Sequence, residues 1–471
     1  MIQNVFKITF FATLFLLQNV VNSQNFSNKI SLNDKLIGVS TIWREASNNF
    51  PYFERLPDLN FKEAYGEYLI KVYNSKDDLE YYLLLQDFLD LLQERHTKII
   101  IPEYLKREYY SRIKKQWFMF EWIDEDIFVT HSRKSIENYL PLGSKILEIN
   151  GFKTEIFFNE VLKNKGNSTF EHTRKRVLKN ELMYEFENYP KHIKYITPNG
   201  NEKSLRFDTV IVENDEWNGI TEYDMKREMN HFPSFSWLED SIAFLDMAGD
   251  MGDNLLIFFD SLYPVIKKSN GLIVDLRYSQ GGSSVGNYII SHFTEHDTIK
   301  QFFYTRINNA YYRALGAYSD SALMSFIGGN IRYSQYMDYH KDKSFAMDTS
   351  IYINPVFKSK RINIPLVFLI DNFVGSATED FLISLKALKL GTFVGEPTAG
   401  SCTQPLVVKL PGNGFALIAT QKTMLNENEV FTFIKPDVEV KRNLEEILYG
   451  KDKIFEVGLE VLKEKIRKKA K

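Results

Sequence analysis

The chain has 471 residues, enough for two to four domains, and its 44% hydrophobic and 25% charged residues exclude general disorder and a multi-span membrane protein. A net charge of −3 leaves no global basic surface to neutralise phosphates, so no nucleic-acid partner is expected. The single cysteine, Cys402, excludes an intramolecular disulfide framework and a cysteine-based structural zinc site.

At the amino terminus Lys7 precedes ten apolar residues, Ile8 to Leu17, and Val21-Asn22-Ser23 supplies a small-residue exit. This pattern predicts a secretory signal peptide over 1–23, because ten helical residues are too short to cross a bilayer. Export to a periplasmic or extracellular space is expected, with no stable membrane insertion after cleavage. Apolar residues three and four apart in LIGVSTIWREASNNF, FKEAYGEYLIKVYN and DLEYYLLLQDFLDLLQER predict an N-terminal helical domain over 24–104. Short alternating segments follow, FMFEWI, IFVTHS, SKILEIN and IKYITP, and predict a β-rich module over 105–215. Asn150-Gly151 is a turn signal within it. The stretch 216–237 reads as a linker.

The remainder, 238–471, contains two almost wholly apolar runs, GLIVDL from Gly271 and PLVFLI from Pro365, each followed by turn residues and a helical pattern. Such runs predict a buried, mostly parallel sheet, so the fold class is α/β with a helical domain and a β-rich module in front. Between the runs, about 298–364, lies an insertion rich in Tyr and Phe. The tail Lys463 to Lys471 reads as a solvated helix end.

Reactive groups gather beyond the carboxyl ends of parallel strands. After the first run stands Arg277-Tyr278-Ser279-Gln280-Gly281-Gly282, where glycines either make a plain turn or let backbone N–H groups form an oxyanion hole. After the second stands GSATED, with Ser376 three residues before Glu379. That serine is either the cap of a capping box or a nucleophile favoured by the N–H of Ala377 and the helix terminus. Gly282-Ser283-Ser284-Val285-Gly286 matches a G-x-S-x-G elbow and makes Ser284 a rival nucleophile, disfavoured by the residues between it and the strand. Of eight histidines, His96 in Gln93-Glu94-Arg95-His96-Thr97 ends the last front helix and is either a packing residue or a base. His292 and His296 are four apart without an evident third metal ligand, and no metal or cofactor is expected. Cys402 either lines the pocket beside Ser401 or fills the core.

Taken in order, the helices ending at His96-Thr97, SKILEING, GLIVDLRYSQGG, GSATEDF and GEPTAGS resemble the tail-specific, or C-terminal-processing, serine peptidases, tricorn-like branch. The resemblance implies Ser376 as nucleophile, an oxyanion hole from Gly281 or Gly282 with Ala377, and a peptide or protein substrate. The lysine of one branch falls on Ser401, so a Ser/Lys dyad is not available. In the other branch the base is the histidine that matches His96, oriented by a glutamate shortly before a Pro-Asp pair. That pair is Pro436-Asp437, which makes Glu429 the candidate, with Glu427 nearby. SKILEING resembles part of a PDZ-like domain, which implies a peptide-docking module. Two departures stand out: Arg95 occupies the place of an auxiliary serine, and the glycine loop reads Y-S-Q-G-G. The expectation is therefore an exported serine endopeptidase acting through an acyl-enzyme. The alternative is a non-catalytic peptide- or apolar-ligand-binding protein that keeps the fold.

Overall fold

The computed structural model describes residues 29–112, 117–162, 166–181, 191–210, 216–219, 232–247, 249–308, 310–317, 319–321, 331–341 and 343–469. The expected signal peptide over 1–23 lies outside the described residues. Three amphipathic helices come first: α1 (Leu32–Asn49), α2 (Phe61–Tyr73) and α3 (Asp78–Asp90). Ser31, Asn60 and Asp77 cap them, each side chain accepting from a backbone N–H three residues on. The last helix stops at Asp90, earlier than its apolar spacing predicts, because Gln93 takes a positive φ of 47° and turns the chain before His96. A short strand, β1 (Lys98–Ile100), follows.

The next segment folds as an antiparallel sheet of β2 (Phe118–Ile123), β3 (Asp126–Arg133), β4 (Lys145–Ile149), β5 (Phe152–Lys153), β6 (His192–Ile196), β7 (Glu202–Arg206) and β8 (Trp217–Asn218). Asn150 and Gly151, both at positive φ, close the β4–β5 hairpin as their sequence predicts. One helix, α4 (Glu171–Glu181), packs against β2. The stretch expected as a linker is paired where it is described. Its β8 adds to β3, and β9 (Ser234–Trp237) adds antiparallel to the edge of the central sheet, so backbone hydrogen bonding replaces a loose connection.

That sheet has the order β22-β17-β16-β12-β10-β9, and all its pairs except β10–β9 are parallel. Its members are β10 (Ile242–Asp246), β12 (Gly271–Asp275), β16 (Leu366–Ile370), β17 (Thr392–Gly395) and β22 (Val438–Glu439). Every residue of β12 and β16 is buried, as expected of apolar strands covered on both faces. One face packs on α5 (Asp253–Ile266) and on α6 (Ala377–Ala387), which opens directly after β16. The other is covered by α7 (Lys453–Lys469) through Ile454 and Leu462. Gly271 and Gly458 are small because Leu462 and Leu369 lie against them.

Three peripheral strand pairings tie distant segments to this core. The glycine pair forms a two-residue strand, β13 (Gly281–Gly282), parallel to β11 (Asp250–Met251). In the insertion, β14 (Thr298–Arg306) pairs with β15 (Phe345–Ile353) and with β20 (Gln421–Asn426). The front helices are not closed on themselves. Their β1 pairs with β19 (Phe415–Ala419), itself paired with β18 (Pro405–Lys409), and Ala416 and Ile418 fill the helical core. This pairing brings the His96 turn beside the central sheet.

The D-L-R motif at the end of β12 has a structural task. The buried Arg277 guanidinium meets Asp275 (2.8 and 3.0 Å) and reaches Asp452 (2.6 and 2.8 Å), whose carboxylate also accepts from Phe455 N at the start of α7. Without Asp452 the guanidinium keeps Asp275, but its buried Nη1 and the Phe455 N–H lose their acceptor. Asp452→Ala should therefore cost about 2 kcal/mol in urea unfolding. A cost below about 0.5 kcal/mol, the range of an ordinary surface change, would show that the pair does not anchor the last helix.

Candidate functional site

Ser376 sits where β16 gives way to α6, at φ 53° and ψ −132°. A residue with a Cβ reaches this region only under strain, of order 1–3 kcal/mol, and strained backbone of this kind clusters at active sites. Its hydroxyl makes no capping hydrogen bond to the helix, so the capping-box explanation of this serine fails. Instead its Oγ lies 3.0 Å from Nε2 of His96, 280 residues away in sequence. Glu379, the other half of the expected box, is fully buried and points elsewhere. It accepts from Thr398 Oγ1 (2.5 Å), Gly400 N (2.8 Å) and Ser401 N (2.8 Å). Burial pushes its carboxyl above the ordinary range, against those three donors.

The loop held by Glu379 returns to both members of the pair. Ser401 O accepts from Ser376 N (2.7 Å), and Ser401 Oγ lies 2.9 Å from His96 Nδ1. Glu94 Oε1 is 3.4 Å from the same Nδ1, and accepts from His96 N (3.1 Å), while Oε2 accepts from the Thr97 hydroxyl (2.9 Å). Burial pushes the Glu94 carboxyl up, but the His96 ring and backbone and the Thr97 hydroxyl outweigh it and hold it below the ordinary value. Both ring nitrogens of His96 are thus engaged, Nε2 by Ser376 and Nδ1 by Ser401 and Glu94. When Nδ1 carries the proton, Nε2 is free to accept the Ser376 hydroxyl proton.

Beside the Ser376 turn lies Gly281, at φ 100°. A Cβ there would stand 2.5 Å from Ser376 Cβ and 2.7 Å from Ala377 N, so only glycine fits. Ala377 opens α6, where the first N–H groups have no intrahelical acceptor. Gly282 faces away, its Cα against the Met251 backbone. Ser279 stitches the two turns together, its O accepting from Gly375 N and its Oγ bonding Thr378 Oγ1 (2.8 Å).

Ser376, His96, Gly281 and Ala377 are brought together; Glu429 is not. It lies exposed on the short strand β21 (Glu429–Val430), where its carboxylate accepts from Asn426 Nδ2 (3.0 Å), and Glu427 is exposed as well. The carboxylate that faces His96 Nδ1 is that of Glu94 (3.4 Å), not of the expected Glu429, which sits exposed on the β20–β21 hairpin. A hydroxyl beside the His96 ring comes from Ser401, not from the position of Arg95. Both were visible as residues but not as partners: Glu94 meets His96 through a local turn that no motif marks, and Ser401 through the distant Glu379-bound loop. Ser284 is exposed and makes no hydrogen bond to a histidine among the described residues. Cys402 is buried in the core, its thiol 3.1 Å from Asp380 Oδ1.

Residues 233–440 match peptidase family S41. Over this segment the chain is similar to that family. S41 members are serine peptidases, and the match spans β9 to β22, including Ser376, Gly281 and the Glu379-bound loop but not His96. Among solved structures, mature CPAF in complex with lactacystin superposes with a TM-score of 0.60 at 12% identity, over 92% of this chain and 98% of that one. Mature CPAF alone gives 0.59 at 12%, over 89% and 94%. The photosystem II D1 C-terminal processing protease gives 0.43 at 14%, over 89% and 98%. At this identity the likeness to CPAF is one of fold, and it extends to the front helices and the antiparallel module outside the S41 match. No curated protein matches the chain by sequence.

The strain at Ser376 is separable from its chemistry. Ser376→Ala keeps the Cβ and the strain, whereas Ser376→Gly relieves it, so the glycine variant should have the larger unfolding free energy in urea, by about 1 kcal/mol. A glycine variant less stable than the alanine variant would show that the turn is not strained.

Proposed function

We propose that the chain is an exported serine endopeptidase with Ser376 as nucleophile and His96 as base. The observation that carries this reading is the 3.0 Å approach of His96 Nε2 to a hydroxyl held in strained backbone at a helix amino terminus. In this mechanism Ser376 Oγ attacks the peptide carbonyl as its proton passes to His96 Nε2. The oxyanion forms against the N–H groups of Gly281 and Ala377. His96 then gives its proton to the leaving amine, and water, deprotonated by the same imidazole, releases the acyl group from Ser376.

Ser401 and Glu94 are positioning residues. Both face Nδ1, so they hold the tautomer with its proton there and leave Nε2 open to the serine. Glu94 also offsets the charge that His96 gains during attack. Its burial makes that interaction stronger than a surface carboxylate would. Export is inferred from the apolar run Ile8 to Leu17 and the exit at Ser23. The antiparallel module of β2 to β8 is assigned the docking of substrate peptide, in keeping with the SKILEING segment.

Turnover of an unstructured polypeptide tests the assignment. Ser376→Ala and His96→Ala should each lower kcat by three orders of magnitude or more, and the double variant should be scarcely worse than either. Glu94→Gln and Ser401→Ala should lower kcat less, by about tenfold to a hundredfold, with KM little changed, as expected of groups that act through the imidazole. Full activity in Ser376→Ala would overturn the reading. A rise in KM alone for both positioning variants would place them in substrate binding instead.

A further inference from the structure

The strand β15 (Phe345–Ile353) runs along the outer edge of the sheet β15-β14-β20-β21, and among the described residues its sole strand partner is β14. Other edges are blunted: β7 carries Glu202, Lys203 and Arg206, β18 opens on Pro405 and closes on Lys409, and α4 packs against β2. The edge strands β1, β9, β21 and β22 are short. By contrast β15 is 9 residues long, has neither proline nor lysine, and exposes Met347 (50%), Ile351 (56%) and Ile353 (75%). A long apolar edge of this kind is a template for another strand.

Two backbone hydrogen bonds fix which residues face the free side. Ile307 N donates to Ser344 O (2.8 Å) and Asn354 N to Asp297 O (2.9 Å), both continuing the β14–β15 register. Bonded positions alternate in an antiparallel pair, so the even-numbered residues of β15 bond β14, and Phe345, Met347, Thr349, Ile351 and Ile353 turn their N–H and C=O groups outward. In agreement, the Thr349 N–H donates to the carboxylate of its neighbour Asp348 (2.8 Å). The side chains of the outward-bonding residues share one face of the sheet, because Tyr352 and its cross-strand partner Ile299 take the other, against the core.

We propose that β15 pairs antiparallel with β15 of a second copy of this chain, about a twofold axis at Thr349. A twofold contact requires a patch complementary to itself, and around Thr349 the strand reads alike in both directions. Phe345 falls opposite the second copy's Ile353, Met347 opposite its Ile351, and Thr349 opposite itself. All of these are outward-bonding positions, so the backbone groups match along the whole strand while the apolar side chains meet on one face. Asp348 falls opposite Ser350 and releases the Thr349 N–H to the new strand. Moving the axis one residue, to Asp348, would set that carboxylate directly against its own copy, which disfavours the shifted register. A strand from an unrelated protein has no reason to match this symmetry. The two four-stranded sheets would join into one continuous sheet.

Sedimentation velocity of the full-length protein over about 1–100 μM tests this, and should show a dimer that dissociates on dilution. Thr349→Pro removes an N–H that β14 does not use, so the monomer keeps its sheet while the pairing loses its central bonds, and the dissociation constant should rise about tenfold or more. Thr349→Lys, which opposes two like charges at the axis, should raise it about threefold or more, and mixing that variant with Thr349→Asp should restore the dimer. Asp348→Ala, which frees the Thr349 N–H, should tighten it. A wild-type protein that stays monomeric across this range would overturn the proposal and leave the edge to a strand of another protein. A dimer unchanged in folded Thr349→Pro and Thr349→Lys would overturn it too, since the contact would then lie elsewhere on the surface. Sedimentation reads assembly, not turnover, so the proposal stands or falls apart from the peptidase assignment.

Discussion

The buried carboxylate of Glu379 is the tie on which the geometry of the site depends. It belongs to the first turn of the helix that Ser376 opens, yet its three donors, Thr398 Oγ1, Gly400 N and Ser401 N, all lie on the loop after β17. One side chain therefore fixes the distance between the Ser376 turn and the loop that presents Ser401 to His96. Ser376 N then donates to Ser401 O, closing the arrangement around the strained residue. Backbone strain of about 1–3 kcal/mol persists only where its surroundings over-determine it. Here a fully buried carboxylate and the close packing of Gly281 do so.

The second requirement is the delivery of His96 from a segment that the sheet does not contain. Antiparallel pairing of β1 with β19 carries the front helices to the core, and Thr97 consolidates the junction, with its hydroxyl accepting from Ala419 N (3.1 Å) and donating to Glu94. The turn from Glu94 to Thr97 does two jobs with one carboxylate. It closes the backbone after the helix and it faces the imidazole from behind. His96, contributed by another layer of the fold, is placed beside Ser376 by strand pairing, not by its own helix.

Much of this was legible in the residues. Apolar runs ending in turn residues located β12 and β16, and the elements after them carry Gly281 and Ser376, because a parallel sheet directs its carboxyl ends to one side. Helical spacing located α1 to α3, although the end of the last helix was set by a positive-φ turn at Gln93 that no periodicity signals. The carboxylate found beside His96 is not the one its spacing suggested, for a clear reason. Spacing to Pro436-Asp437 pointed to Glu429, but that residue rides an exposed hairpin, whereas Glu94 reaches Nδ1 through a turn two residues long. Local sequence favours reading Glu379 as a cap, and only the packed loop 398–401 reveals its actual partners. The D-L-R motif, prominent beside the glycine pair, proved to be an ion-pair anchor for α7.

All of this converges on one reactive oxygen. Diisopropyl fluorophosphate mimics the tetrahedral state of acyl transfer and reacts with a serine only when a base and an oxyanion hole are in place. Peptide mapping by mass spectrometry after treatment of the full-length protein should find a single stoichiometric adduct on Ser376, lost in folded His96→Ala. An adduct on Ser284 or Ser401, or none on well-folded protein, would contradict the account.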